Sequence, residues 1–218
     1  MNKAVPALAC GLLLAGSSVF SPVFGHEVAH GVARIRGTLE SLANGTLDVT
    51  LGDPTAAMGP GGKRLRIAIS GSTRIAGIKT ASLADVRPGA YIGTVATPLP
   101  DGSLRAREIH IFPANMRGTG EGQSPWDPGE GASMTNATVE GDVERTDGEA
   151  GRVLTLEFMG RRQRLVVPDG IPIVAMEPGS ARLLVPHARL VVFARPARDG
   201  RLSADRIAVG ENGAIPPM

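Results

Sequence analysis

The chain carries the same pattern of glycines, turn dipeptides and alternating apolar residues twice, and this repeat limits the fold more than any single motif. Residues 63–111 align without a gap on residues 161–209 at a constant offset of 98, so that Pro88 falls on Pro186. A shared arrangement of turn and apolar positions over this length is typical of one folding unit copied in tandem. The sequence therefore predicts two units of the same fold.

Each copy has the pattern of five short β-strands with one helical turn between the third and the fourth. Polar and apolar residues alternate in these segments, and Asn44-Gly45 between the first two is a strong hairpin signal. The predicted strands are residues 34–42, 46–51, 63–70, 91–97 and 104–112 in the first copy, and 137–145, 152–158, 161–167, 188–195 and 202–209 in the second. This order is that of the oligonucleotide/oligosaccharide-binding (OB) barrel, in which closure removes exposed strand edges. We expect an all-β chain with two tandem five-stranded OB-like barrels; a sandwich of two sheets is the alternative.

The domain boundaries follow from the repeat and from composition. Residues 33–112 are the first predicted barrel repeat, and residues 136–210 are the second. Between them, residues 113–135 are rich in Gly and Pro, which predicts a linker, and residues 211–218 form a tail. Each repeat is expected to enclose its own aliphatic interior.

The first 25 residues are typical of a secretory signal peptide. Lys3 precedes a short apolar stretch, and small residues lead to a predicted cleavage site after Gly25. Cys10 makes lipid attachment an alternative, but the leucines follow this cysteine instead of preceding it. We therefore expect an exported protein, periplasmic or secreted, whose mature chain has no cysteine and no segment of membrane-spanning length.

Composition narrows the classes of partner. The formal net charge is only +2, so bulk attraction to nucleic acid is not indicated. Aromatic residues make up 3% of the chain, which argues against sugar or single-stranded nucleic-acid sites built on stacking platforms. We expect no nucleic-acid partner.

Several short segments carry a resemblance to a known group of proteins. The segments 116–122, 125–127 and 133–139 (MRGTGEG, PWD and SMTNATV), with the repeated element at 83–92, are similar to those of exported bacterial proteins with tandem OB-like β-barrel domains of unknown function. The resemblance covers nearly the whole mature chain. It implies an envelope location and the barrel fold, and it carries no catalytic residues over to this chain.

His26-Glu27-Val28-Ala29-His30 is a literal H-E-x-x-H motif. On a helix, this spacing places two imidazoles on one face to bind zinc, and the Glu activates the bound water. Here the motif stands at the predicted mature terminus, a few residues before the first strand, so no buried helix is expected to fix the ligands. His26 and His30 are the remaining metal candidates, because an N-terminal His26 offers copper its amine and a ring nitrogen.

The other candidates for catalysis are weaker. His110 and His187 align with Ala208 and Gly89 across the repeat, so we expect surface or rim histidines. Residues 118–122 resemble a phosphate loop but lack its lysine and its strand–loop–helix frame, which favours a flexible linker. No serine and no carboxylate pair has a recognisable catalytic setting. We expect no catalytic residues and no cofactor.

The third predicted strands carry outward-facing arginines at equivalent positions, Arg64, Arg66, Arg162 and Arg164. In OB-type barrels the sheet that contains strands two and three holds the ligand. Two such stripes would suit a polyanion such as a lipopolysaccharide phosphate or an acidic glycan. The alternative is local neutralisation by Asp48 and Glu157 on the neighbouring strands.

Trp126 is the only tryptophan, and it lies in the predicted linker. A flexible spacer has no need of a large apolar ring, so Trp126 either anchors the linker between the barrels or is exposed for a partner.

These observations favour a non-enzymatic binding or scaffolding protein of the bacterial cell envelope. Its expected partner is an envelope protein or an anionic envelope component. One alternative is a metal-binding protein or zinc hydrolase that uses His26, Glu27 and His30. The other is polyanion binding through the arginines of the third strands.

Overall fold

The computed structural model describes residues 32–52, 62–126, 131–145, 151–196 and 200–217. These residues form strands and three single turns of 3-10 helix, at Leu83–Asp85, Ala114–Met116 and Ala181–Leu183. The strands are β1 (Ala33–Ala43), β2 (Thr46–Leu51), β3 (Arg64–Ala68), β4 (Arg74–Thr80), β5 (Tyr91–Pro98), β6 (Leu104–Ile111), β7 (Gly122–Pro125), β8 (Ser133–Arg145), β9 (Gly151–Phe158), β10 (Arg161–Pro168), β11 (Ile173–Pro178), β12 (Arg189–Pro196) and β13 (Leu202–Gly210). The predicted all-β class is confirmed.

All ten strands predicted from alternation are present, and three further strands were missed. The additional strands are β4, β7 and β11. β7 lies within the predicted linker and pairs with β8, from Gly122 opposite Asn136 to Pro125 opposite Ser133. This part of the linker is therefore a strand on the edge of the sheet rather than a free spacer.

Backbone pairing closes five strands into a barrel. β1 pairs with β2 and β12, β2 pairs with β3, and β12 pairs with β13. A short parallel pairing, Leu202–Ser203 of β13 against Ile67–Ala68 of β3, completes the circuit. We call this circuit of β1, β2, β3, β13 and β12 ring 1. A closed five-stranded barrel is thus confirmed.

A second circuit, ring 2, has the same order of pairings. It consists of β5, β6, β10, β9 and β8, and its parallel contact joins Leu165–Val166 of β10 to Leu104–Arg105 of β6. Each ring takes three strands from one repeat and two from the other. The predicted pair of tandem barrels, each closed by its own repeat, is therefore not confirmed, because β5 and β6 leave the first repeat to join β8, β9 and β10.

Two of the three missed strands, β4 and β11, carry the chain between the rings. β4 follows ring 1 strand β3 and pairs with β13, whereas β11 follows β10 and pairs with β6. β4 and β11 also pair with each other in antiparallel fashion, with Ile78 opposite Met176. These two residues are 98 positions apart, so the crossing point joins equivalent positions of the two repeats. The pairing of β4 with β13 and that of β11 with β6 are likewise equivalent along the chain.

Each ring encloses its own apolar core, and a third cluster lies outside both. The core of ring 1 includes Leu39, Leu47, Ile67, Leu190 and Ile207, and that of ring 2 includes Ile92, Ile109, Leu154, Leu156 and Leu165. The third cluster consists of Ile78, Val174, Val191, Phe193 and Ala208, with Val32, Trp126 and Met176 packed against it. Because Val191 and Phe193 alternate along β12 with the core residues Leu190 and Val192, this cluster covers the outer face of ring 1.

Candidate functional site

The histidine-rich segment at the predicted mature terminus lies outside the described residues. His26, Glu27 and His30 therefore remain candidates on sequence grounds alone. Within the described ranges, no group of three or more His, Cys, Asp or Glu side chains is placed to hold a metal ion.

On ring 1, the third-strand arginines point to solvent as predicted. Arg64 and Arg66 are exposed and flank Leu65, which is half-buried. Arg66 Nε lies 3.5 Å from Asp48 Oδ1 on the adjacent strand β2, with 79% of the arginine side chain exposed. Asp48 also accepts a hydrogen bond from the Ser41 hydroxyl at 3.2 Å. The expected cross-strand neutralisation of Arg66 is thus present, and it leaves most of the guanidinium in contact with water.

On ring 2, the equivalent arginines are also exposed, but the partner differs from the predicted one. Arg162 forms an ion pair with Glu140 on β8, and the arginine side chain is 73% exposed. Glu157 of β9, which faces Arg162 in the register, was expected in this role. The long Arg162 side chain reaches across β9 at a diagonal. Arg162 is opposite Glu157 of β9, whereas Glu140 is opposite Thr155, two residues away on the same strand. Exposed pairs of this kind contribute about 1 kcal/mol or less.

β10 is further tied to the turn between β5 and β6. Gln163 Nε2 donates a hydrogen bond to the carbonyl oxygen of Gly102 at 2.8 Å. In the same turn, hydrogen bonds from the hydroxyl and backbone N–H of Ser103 lower the pKa of Asp101, and the charge of Arg164 contributes a smaller lowering. The arginine-bearing strand is held in place while Arg162 and Arg164 stay exposed.

Trp126 lies at the end of β7 and is partly buried against the third apolar cluster. The Arg34 guanidinium of β1 lies 3.7 Å above the centroid of its ring, which is cation–π geometry. The Trp126 backbone N–H donates a hydrogen bond to the Ala132 carbonyl at 3.0 Å. Because β7 pairs with ring 2 strand β8 while the indole packs on the outer face of ring 1, Trp126 links the two rings. This placement matches the anchor interpretation.

The segment that leads to Trp126 is also fastened to ring 2. The Tyr91 hydroxyl donates to the Thr119 carbonyl at 3.1 Å, and Asn136 Nδ2 donates to the Gly120 carbonyl at 3.1 Å. Glu121 accepts from the backbone N–H of Met159 at 2.7 Å. The glycine-rich residues 118–122 therefore pack against strands, which the interpretation as a flexible linker did not anticipate.

His110 is only 1% exposed, so the prediction of a surface or rim histidine is wrong for this residue. It lies between Gly93 of β5 and Val174 of β11, which are both buried. Its Nε2 atom lies 3.1 Å from Glu108 Oε1, two residues earlier on the same strand face. Sequence reasoning missed this pair, although the Glu-x-His spacing places both side chains on one side of a strand. His187, in contrast, is exposed, with a positive φ of 68°.

The described part of the chain contains no helix long and apolar enough to span a membrane. Comparison with protein-family models, with curated proteins and with solved structures gives no match for this chain.

Proposed function

We propose that the protein is a non-enzymatic binding or scaffolding protein of the bacterial envelope that uses the outer faces of β3 and β10 to contact an anionic partner. The observation that carries this proposal is the exposure of four arginines at equivalent positions, Arg64, Arg66, Arg162 and Arg164. Arginine forks bind phosphate and carboxylate oxygens in a bidentate manner. In OB-type barrels the face formed by strands two and three is the ligand face.

The frame of the molecule suits this role. The two arginine-bearing strands belong to different rings, and β4 and β11 join those rings through continuous backbone pairing. Two weak contacts held in one frame bind a polymer more tightly than either contact alone, because the second contact forms at high effective concentration. The envelope location is part of the proposal, and its support is the apolar segment that follows Lys3.

Retention of the full-length mature protein on heparin resin and on immobilised lipopolysaccharide tests this function. We expect Arg64→Glu/Arg66→Glu to elute at clearly lower salt than the unaltered chain, because charge reversal repels the anion and salt screens the remaining attraction. The matched control is Arg87→Glu/Arg182→Glu, which makes the same change in net charge at exposed positions outside β3 and β10. Equal elution of the two double variants would refute a specific role for β3.

A further inference from the structure

Both rings are closed by contacts between the two repeats. The pairings between the repeats are β1 with β12, β3 with β13, β4 with β11 and β13, β5 with β8, and β6 with β10 and β11. Within a repeat, the ring strands pair with their neighbours along the chain, as β1, β2 and β3 do. Over the described residues, neither repeat closes a ring by itself, and each offers the other the edges of its strands.

The edges that meet are equivalent in the two repeats. Ile75 of β4 lies opposite Ile207 of β13, and 98 positions away Ile173 of β11 lies opposite Ile109 of β6. β4 and β11 themselves occupy equivalent places in the two repeats and pair with each other. A second copy of either repeat would therefore offer the same backbone pairings as the unlike repeat does. Backbone geometry alone does not determine which partner a repeat takes.

The crossing of β4 and β11 carries opposite charges at equivalent positions. Lys79 of β4 and Glu177 of β11 are 98 residues apart, and Lys79 Nζ lies 2.5 Å from Glu177 Oε2. In the register Lys79 faces Ala175, and Glu177 faces Gly77, so the two long side chains meet on a diagonal beside small residues. The hydrogen bond to Glu177 raises the pKa of Lys79 against a smaller lowering by burial, and the negative charge of Glu211 adds to the rise. The ion pair therefore stabilises contact between unlike repeats.

Pairing of like repeats would replace this ion pair with repulsion. Two first repeats would place Lys79 against a second Lys79, and two second repeats would place Glu177 against a second Glu177. Glu211, directly after the second repeat, donates its backbone N–H to the Ile78 carbonyl at 2.9 Å and brings a further carboxylate to the crossing, whereas its counterpart after the first repeat is Pro113. Like charges placed against each other at an interface disfavour the wrong partner.

We propose that each repeat is the binding partner of the other and that this union holds without the covalent connection, with Lys79 and Glu177 selecting the unlike repeat. The surface that a repeat presents fits a repeat of this same kind, in the same chain or in a second copy of it. Since the two side chains are 41% and 49% exposed, the ion pair contributes more to the choice of partner than to stability.

Cutting the full mature chain between the repeats tests whether the connection is needed. Residues 117–121 are exposed, and a specific protease site inserted after Gly118 leaves Trp126 on the second fragment. The cut chain should remain one complex of both fragments in native mass spectrometry and should keep the circular dichroism of the uncut chain. Fragments that separate, or that lose their β-structure, would overturn the proposal.

Unfolding the cut chain in urea and then diluting it tests the choice of partner, because the two fragments differ in mass. Random association of equimolar fragments gives as many like pairs as unlike pairs, whereas we expect a clear excess of unlike pairs. Lys79→Glu places a carboxylate against Glu177 and should lower the ratio of unlike to like pairs about threefold or more. Lys79→Glu/Glu177→Lys places opposite charges at the crossing again and should recover most of the lost ratio.

The matched control is Arg87→Glu, which makes the same change in charge at an exposed position of the first repeat outside β4. It should leave the ratio of unlike to like pairs unchanged. Random association of the unaltered fragments, equal effects of Lys79→Glu and Arg87→Glu, or no recovery in the double variant would each overturn the proposal. The inference does not depend on the proposed function, since Arg64→Glu/Arg66→Glu leaves β4 and β11 unaltered and should pair like the unaltered chain.

Discussion

The outer faces of the two rings differ most where their strands correspond most closely. β5 and β12 are separated by 98 residues along their whole length, and β6 and β13 begin with the same separation. Inside the rings the equivalent residues have the same chemistry, as Ile109 and Ile207 show. On the outer face, Glu108 and His110 of β6 stand where β13 has Arg206 and Ala208. The frame therefore constrains the interior of each ring, whereas the outer face carries a carboxyl group on β6 and a guanidinium group at the equivalent position of β13.

This contrast separates the part of the sequence that closes the rings from the part that distinguishes them. Ring closure requires aliphatic residues at alternate positions, and both halves supply them. On the outer face of ring 2 lies the hydrogen-bonded pair Glu108 and His110. On the outer face of ring 1 lies a cluster of apolar residues with Arg206 stacked on Phe193. Specific binding is therefore expected on the outer faces, because these faces differ between ring 1 and ring 2.

Truncation of equivalent core residues is the most severe test of the shared frame. Ile109→Ala and Ile207→Ala each remove a side chain that is at most 1% exposed, so each should cost about 2–5 kcal/mol in the free energy of unfolding. Since both rings use strands from both repeats, each variant should shift one common unfolding transition, as followed by calorimetry. Two separate transitions, of which only one moves, would show that the rings unfold independently.

The polar pair on ring 2 is the next test, because it has no counterpart on ring 1. His110→Ala leaves the Glu108 carboxylate without its hydrogen-bond partner on a buried face, which should cost about 2–4 kcal/mol. Glu108→Gln retains an acceptor for the imidazole and should cost clearly less. Denaturant unfolding measures both values. Equal losses in the two variants would mean that packing, and not the hydrogen bond, keeps the pair in place.

Local patterns in the sequence predicted the rings' strands but not the way these strands are shared. Alternation placed all ten ring strands, because each has a core face such as Leu47 and Val49 of β2. The same hairpins form whether β5 and β6 close on their own repeat or on the other one. That choice depends on β4, where the consecutive residues Gly77 and Ile78 are both buried and so interrupt a simple alternation of buried and exposed positions. Exchange between repeats is a property of the connection, which local periodicity does not report.

The candidate site was predictable to a similar degree. Exposure of Arg66 and its pairing with Asp48 follow from strand alternation and register. The pairing of Arg162 with Glu140 does not, because a long side chain can pass over the neighbouring strand. The burial of His110 depends on what covers the outer face of β6, and a single strand carries no signal for that.

Two tight hairpin turns offer a smaller change in stability, and in one of them a substitution should stabilise the chain. Asn44-Gly45 and Met159-Gly160 have positive φ at both central residues, 48° and 68° in the first and 48° and 71° in the second. Asn tolerates this conformation better than Met, and Met159 is also 74% exposed. Met159→Asn should therefore stabilise the chain by about 0.5–1 kcal/mol in urea unfolding. Asn44→Met is the reciprocal control and should destabilise by a similar amount; a loss of stability in Met159→Asn would contradict the argument from backbone strain.

The smallest expected effect concerns the 3-10 turns that precede β5 and β12. The backbone N–H and the hydroxyl of Ser82 each donate to Asp85 Oδ2 at 2.8 Å, and these two bonds lower the pKa of Asp85. The equivalent position in the second turn is Leu183, and there the Ser180 hydroxyl accepts from the Arg182 N–H at 3.4 Å.

A depressed carboxyl pKa stabilises the fold above the unfolded value of about 3.9, and this contribution disappears as pH falls through the folded value. The Tm difference between the unaltered chain and Asp85→Asn should hence be constant above about pH 5 and shrink towards zero in strong acid. Ser180→Ala involves no carboxylate, so its Tm difference should not change over this range, and a parallel decline in both variants would locate the pH dependence elsewhere.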